Sequence, residues 1–154
     1  MPTKSTPKKN RPRSSIVVQR MLPAAPPEAQ LRRYARAALR PGSAVTLRVV
    51  GAAEAKRLNA GYRGKAHATN VLSFCYDRRR GDVVLCHPVI RREAKAQQKA
   101  LAAHYAHLVV HGILHLRGHD HARRRDAARM ERAEVRILRR LGFADPYAEL
   151  AALK

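Results

Sequence analysis

Apolar and polar positions recur along this chain with two periods, and the switches between them outline nine elements. Residues 15–22, SIVVQRML, form a short β-branched run that predicts a first strand. Over 26–40, PPEAQLRRYARAALR, the residues Leu31, Tyr34 and Ala38 recur at helical spacing behind Pro and Glu, and Pro41-Gly42 stops the helix. In AVTLRVVG, 44–51, Val45, Leu47 and Val49 alternate with Thr46, Arg48 and Val50, which is the period of a strand. A short helix is predicted over 52–63, ending near Gly61. NVLSFCYD (70–77) and GDVVLCH (81–87) predict two strands joined by an arginine-rich turn. PVIRREAKAQQKA (88–100) carries Pro in its first turn, then an acid, then bases, an order that suits a helix dipole. ALAAHYAHLVVHGILHLRG (100–118) is the most apolar helix, predicted to cross the core and stop at Gly118. A last helix spans about 122–141, with Ala127, Met130, Ala133, Ile137 and Leu141 on its buried face and Gly142 at its end. The order β-α-β-α-β-β-α-α-α predicts one α/β (α+β) domain, a small mixed sheet of about four strands packed with about five helices.

Charge adds what the pattern lacks. Lys and Arg number 32 against 11 Asp and Glu, a formal net charge of +21, in a chain of 154 residues. Such an excess repels itself when compact and attracts polyanions, which points to nucleic acid and to salt-sensitive binding. Two cysteines, Cys75 and Cys86, imply no disulfide framework and fit a reducing cytoplasm. No apolar run approaches the ~20 residues that span a membrane. MPTKSTPKKNRPRSS has no apolar centre, so residues 1–14 are read as a disordered basic arm and 15–154 as the domain.

The chemistry is concentrated in HGILHLRGHDH, residues 111–121, which holds four of the eight histidines. His111 and His115 lie one helical turn apart on one face, so two imidazoles can meet one ion. Gly118 can turn the chain back, and His121 follows three residues later. Three neutral imidazoles leave a tetrahedral zinc with one open position, the arrangement of a catalytic site; nickel or copper would also accept them. His107 could pair with His111 instead, but only the 111/115 pair has the glycine turn and a third histidine downstream. His87 and His104 read as core or surface residues, and His119 as a non-ligand. A zinc protease would carry H-E-x-x-H with the Glu as base; that position is Gly112. Ligation is kept while peptide hydrolysis is disfavoured, and a phosphodiester substrate suits the charge.

With LNAGYRGKAHATNVLSF (58–74), GDVVLCHPVI (81–90) and MERAEVRILRRLGFADPY (130–147), the histidine stretch resembles the YbeY family of bacterial endoribonucleases, over roughly residues 44–147. The resemblance implies a zincin-like fold, one Zn2+ per chain on His111, His115 and His121, and an arginine needed for activity that falls on Arg63. It implies metal-dependent cleavage of single-stranded RNA, in maturation of the small-subunit ribosomal RNA 3′ end and in ribosome quality control. The partners implied are a small-subunit ribosomal protein and an Era-type GTPase. The chain departs from the family pattern at Ala66, His67 and Ala68, at Cys75, and at His119, where the family usually has Tyr. The loop between Phe74 and Gly81 is short. Asp120 could orient a ligand imidazole or cap the next helix, and Asn59, Thr69, Asn70 and Ser73 could touch ribose or phosphate or bond loop backbone. Two other readings stay open: a zinc-dependent protease or amidase, and a non-catalytic ribosome-assembly factor in which zinc staples the last two helices.

Overall fold

The computed structural model describes residues 13–63, 69–118 and 124–148. The basic arm, apart from Arg13 and Ser14, lies outside these. Four strands, β1 (Ser15–Arg20), β2 (Ala44–Val50), β3 (Val71–Asp77) and β4 (Arg80–Cys86), form one sheet in the order β1-β2-β4-β3. β1 runs parallel to β2 and β2 parallel to β4, while β3 returns antiparallel to β4, with a bulge between Cys75 and Asp77. Among the described residues five helices accompany it: α1 (Glu28–Ala38), α2 (Ala52–Arg63), α3 (His87–Ala96), α4 (Leu101–Leu116) and α5 (Arg124–Arg140). The mixed sheet and α+β class predicted from the periodicity are therefore observed.

Alternation explains which face each strand buries. Val45, Leu47 and Val49 of β2 point into the main core with Leu31, Tyr34 and Ala38 of α1, and with α4 and the stripe Met130, Ala133, Ile137 of α5. Val50, on the opposite face of β2, is also buried, with Ala55, Leu72, Val84 and Cys86. The two central strands are thus covered on both sides, α2 closing the second face. Among the described residues no helix is long and apolar enough to cross a membrane.

The helix predicted over 88–100 is shorter than expected. α3 ends at Ala96, and Gln98 takes a positive φ of 55° while the Lys99 N–H reaches back to the Ala94 carbonyl at 2.8 Å. A glutamine in the left-handed region carries no compositional signal, so periodicity ran through the break. Gly118, by contrast, has φ 94° and ends α4 where expected, its N–H bonded to the His115 carbonyl at 3.0 Å.

Helix α4 carries four of the chain's eight histidines and sits at the centre of the packing. It lies on β3 and β4, with α1, α3 and α5 on its other sides. Gly112 lies close against the sheet: a Cβ there would stand 2.8 Å from Val83 Cγ1 and 3.2 Å from Ser73 Oγ. Ser73 also donates its hydroxyl proton to the Gly112 carbonyl at 3.0 Å. The position at which a zinc protease holds its glutamate faces the sheet and has no room for a side chain.

Candidate metal centre

The histidines of α4 divide by the neighbour they meet. His104 turns toward α3, where its Nε2 lies 2.9 Å from Glu93 Oε1; burial lowers its pKa against the pull of that carboxylate. Asn70 donates to the same carboxylate at 3.1 Å, so this candidate RNA contact is engaged inside the protein. His87, at the start of α3, shares a 2.6 Å hydrogen bond between its Nδ1 and the Tyr105 hydroxyl and is buried. His87 and His104 are thus structural residues, each engaged through one ring nitrogen, as their isolation in sequence suggested.

His107, His111 and His115 follow one another along the side of α4 that meets α5. The rings of His111 and His115 stand edge to face with centroids 4.8 Å apart, and those of His107 and His111 are 6.2 Å apart. The predicted helical pair is therefore brought together. His121, Asp120, His119 and residues 66–68 lie outside the described residues. Arg63 closes α2, and its side chain lies outside them too. Cys75 is exposed on β3 and Cys86 buried at the end of β4, both free thiols.

Opposite the histidines stands Glu134 of α5. Its side chain is 1% exposed, against 26% for His111. His111 Nδ1 lies 2.6 Å from Glu134 Oε2, and His107 Nε2 lies 3.2 Å from the same oxygen. Tyr147 donates its hydroxyl proton to Oε1 at 2.5 Å. Burial alone would push this carboxyl up; hydrogen bonds from His107, His111 and Tyr147 more than reverse that and hold it at about 2. Tyr147 is pushed the other way, by burial and by the carboxylate it serves. The ligand atoms of His107, His111 and Glu134 all lie within 4.8 Å of one another, so this trio too could hold a metal ion.

Glu134 and Tyr147 were missed in the sequence. For Glu134 a signal existed: it interrupts the apolar stripe Met130, Ala133, Ile137, Leu141, and an acid on a buried face needs partners. Tyr147 follows the last helix in an irregular segment and carries no periodic signal.

The sequence profile described as Endoribonuclease YbeY matches residues 11–142. Relatives named Endoribonuclease YbeY include one from Aromatoleum aromaticum, 51% identical over 144 residues, covering 88% of this chain and 94% of its own. Another, from Nitrosomonas europaea, is 52% identical over 119 residues, covering 75% and 73%. The solution structure of a Thermotoga maritima protein is similar in fold, with a TM-score of 0.56 at 20% identity over 85% of this chain and 97% of that one. The architecture, the histidine-bearing helix and these relatives agree, and the chain belongs to the YbeY family of endoribonucleases.

Proposed function

We propose that this protein is a zinc-dependent, single-strand-specific endoribonuclease, with one ion held by His111, His115 and His121 and with Arg63 facing the scissile phosphate. The reading rests on one observation above all. His111 gives Nδ1 to a buried carboxylate at 2.6 Å, which leaves Nε2 as the nitrogen with a lone pair, beside the ring of His115. Imidazole ligands characteristically donate their other nitrogen in this way. A bound divalent ion would polarise a phosphoryl oxygen and acidify water. Arg63 brings a permanently charged fork that matches two phosphate oxygens and opposes the charge that grows there. Helix α5 supports an RNA substrate: Arg132, Arg136 and Arg139 line an open groove of about 1070 Å³ that reaches Tyr147, and none of the three forms an ion pair among the described residues.

The family resemblance extends the proposal to maturation of the small-subunit ribosomal RNA 3′ end and ribosome quality control in the cytoplasm, with a small-subunit ribosomal protein and an Era-type GTPase as partners. Cleavage of a labelled single-stranded RNA, lost on chelation and restored by zinc, tests the core of it. Equal cleavage with chelator present overturns it, and cleavage of the matching duplex at the same rate removes the strand preference. The product ends separate attack by water from attack by the 2′-OH.

A second reading is favoured by the proximity of His107, His111 and Glu134. An ion on that trio would be enclosed between α4 and α5 and would staple them without catalysis. Zinc content of His107→Ala and His115→Ala distinguishes the two: loss only in the first supports the staple, loss only in the second the open site.

A further inference from the structure

The chain beyond α5 turns back onto the site. Gly142, at φ 92°, ends the helix, and the Phe143 N–H returns to the Leu138 carbonyl at 2.9 Å. Phe143 packs edge-on against Tyr34, with centroids 5.7 Å apart. Asp145 then closes a tight turn by accepting the Tyr147 N–H on its side chain at 2.8 Å. The turn delivers the Tyr147 ring edge-on to His107, with centroids 5.5 Å apart and planes at 87°.

Proton counting fixes the roles. Tyr147 has one hydroxyl proton, and Glu134 Oε1 takes it. The phenol oxygen can then only accept, and His107 Nε2 lies 3.2 Å away; the same nitrogen is 3.2 Å from Glu134 Oε2. His107 Nδ1 is buried with no hydrogen-bond partner among the described residues. A proton on Nδ1 would be an unsatisfied buried donor, and a bare Nε2 would face oxygen lone pairs. The proton therefore belongs on Nε2, and His107 is a donor.

We propose that Tyr147 and His107 are positioning residues that clamp both oxygens of Glu134, so that Oε2 holds the proton on His111 Nδ1 and His111 Nε2 is kept available to the ion. The last torsion of a glutamate is broad and nearly two-fold. Tyr147 removes that freedom by occupying Oε1. The clamp rests on the reading that His111 ligates through Nε2, and it takes His107 out of the ligand set.

The full chain, labelled with nitrogen-15 in its histidines, tests this first without metal and then by zinc titration. The wild type should show His111 protonated at Nδ1 in the metal-free state. Tyr147→Phe, which keeps the ring against His107, should mix the two tautomers, still bind one zinc, and weaken zinc affinity about 10- to 100-fold. The visible spectrum of the cobalt-substituted protein should shift with it. His107→Leu should behave likewise, and His107→Gln, which restores a donor, should recover most of the affinity. A Tyr147→Phe protein that melts lower but keeps the wild-type tautomer and zinc affinity would make the tyrosine merely structural and overturn the clamp. So would loss of all zinc from His107→Gln. If the wild type binds no zinc, the ligand reading fails, and the clamp is still judged by the His111 tautomer in the metal-free protein.

Discussion

Replacing Gly112 with alanine tests why this helix carries no catalytic glutamate. In an open helix the change would stabilise by about 1 kcal/mol, because alanine loses less backbone freedom. Here the new Cβ meets Val83 Cγ1 at 2.8 Å, Val83 Cγ2 at 3.3 Å and Ser73 Oγ at 3.2 Å. Val83 is fully buried on the central strand β4, so it cannot swing away. Overpacking of this kind costs about 2 kcal/mol. Pushing Ser73 off the Gly112 carbonyl removes a further ~1 kcal/mol. The balance is a net loss of about 2 kcal/mol, or roughly 4–8 °C in Tm for a domain of this size. Thermal unfolding followed by circular dichroism reads it directly. Gly61→Ala is the control: it sits in α2 with nothing among the described residues within 4 Å of its would-be Cβ, and it should be neutral or stabilising by up to about 1 kcal/mol. A Gly112→Ala protein as stable as wild type would mean that α4 does not press on β4 here, and the steric reason for the missing base would be gone.

His115→Ala should abolish stoichiometric zinc measured by elemental analysis; a full complement in that variant would remove His115 from the ligand set. Arg63→Ala should leave zinc content intact and depress cleavage about 100-fold, the scale of losing one charge-stabilising donor; wild-type turnover would refute its role. Affinity for single-stranded RNA should fall steeply with salt, and replacing Arg132, Arg136 and Arg139 with alanine should flatten the log–log slope by about 0.7 for each phosphate no longer neutralised, whereas an unchanged slope would free that face of RNA. In the metal-free protein Glu134 titrates at about 2 rather than the ordinary 4.5, so the stability it contributes is complete above pH 4.5 and lost as pH falls toward 2. Denaturation of Glu134→Gln across that window should lack a pH-dependent contribution on the order of 3 kcal/mol, and a slope equal to wild type would contradict the assignment.

Much of the architecture was legible because burial follows period. Leu31, Tyr34 and Ala38 announced the inner face of α1, and Val45, Leu47 and Val49 that of β2. The doubly covered sheet was less plain, since Val50 reads as the polar-side position of an alternating strand and proves buried against α2's Ala55. The end of α3 was illegible because Gln98 adopts a glycine-like backbone without being glycine. At the site, the helical pair His111 and His115 followed from spacing alone, since residues four apart share a face. What holds His111 did not follow. Glu134 lies 23 residues away on another helix, and Tyr147 a further 13 on. Such contacts depend on how two helices and a returning segment dock, which no local period encodes.

That long-range origin bears on the chemistry. In an H-E-x-x-H helix the acid projects from the ligand helix itself and works as a base beside the ion. Here α4 spends that position on contact with the sheet, and the acid arrives from α5 on the far side of the imidazole. From there it meets Nδ1, and it is saturated by Tyr147 and two histidines. A carboxylate held at about 2, 1% exposed and with both oxygens engaged is a poor proton acceptor for a substrate. Its work is to orient. Glu134 is therefore not the group that takes the proton removed in cleavage. A phosphodiester brings anionic oxygens that can accept a proton, and a neutral peptide bond does not. The same packing that excludes a glutamate at Gly112 therefore removes the base that peptide hydrolysis on an H-E-x-x-H helix relies on, in keeping with a family of endoribonucleases.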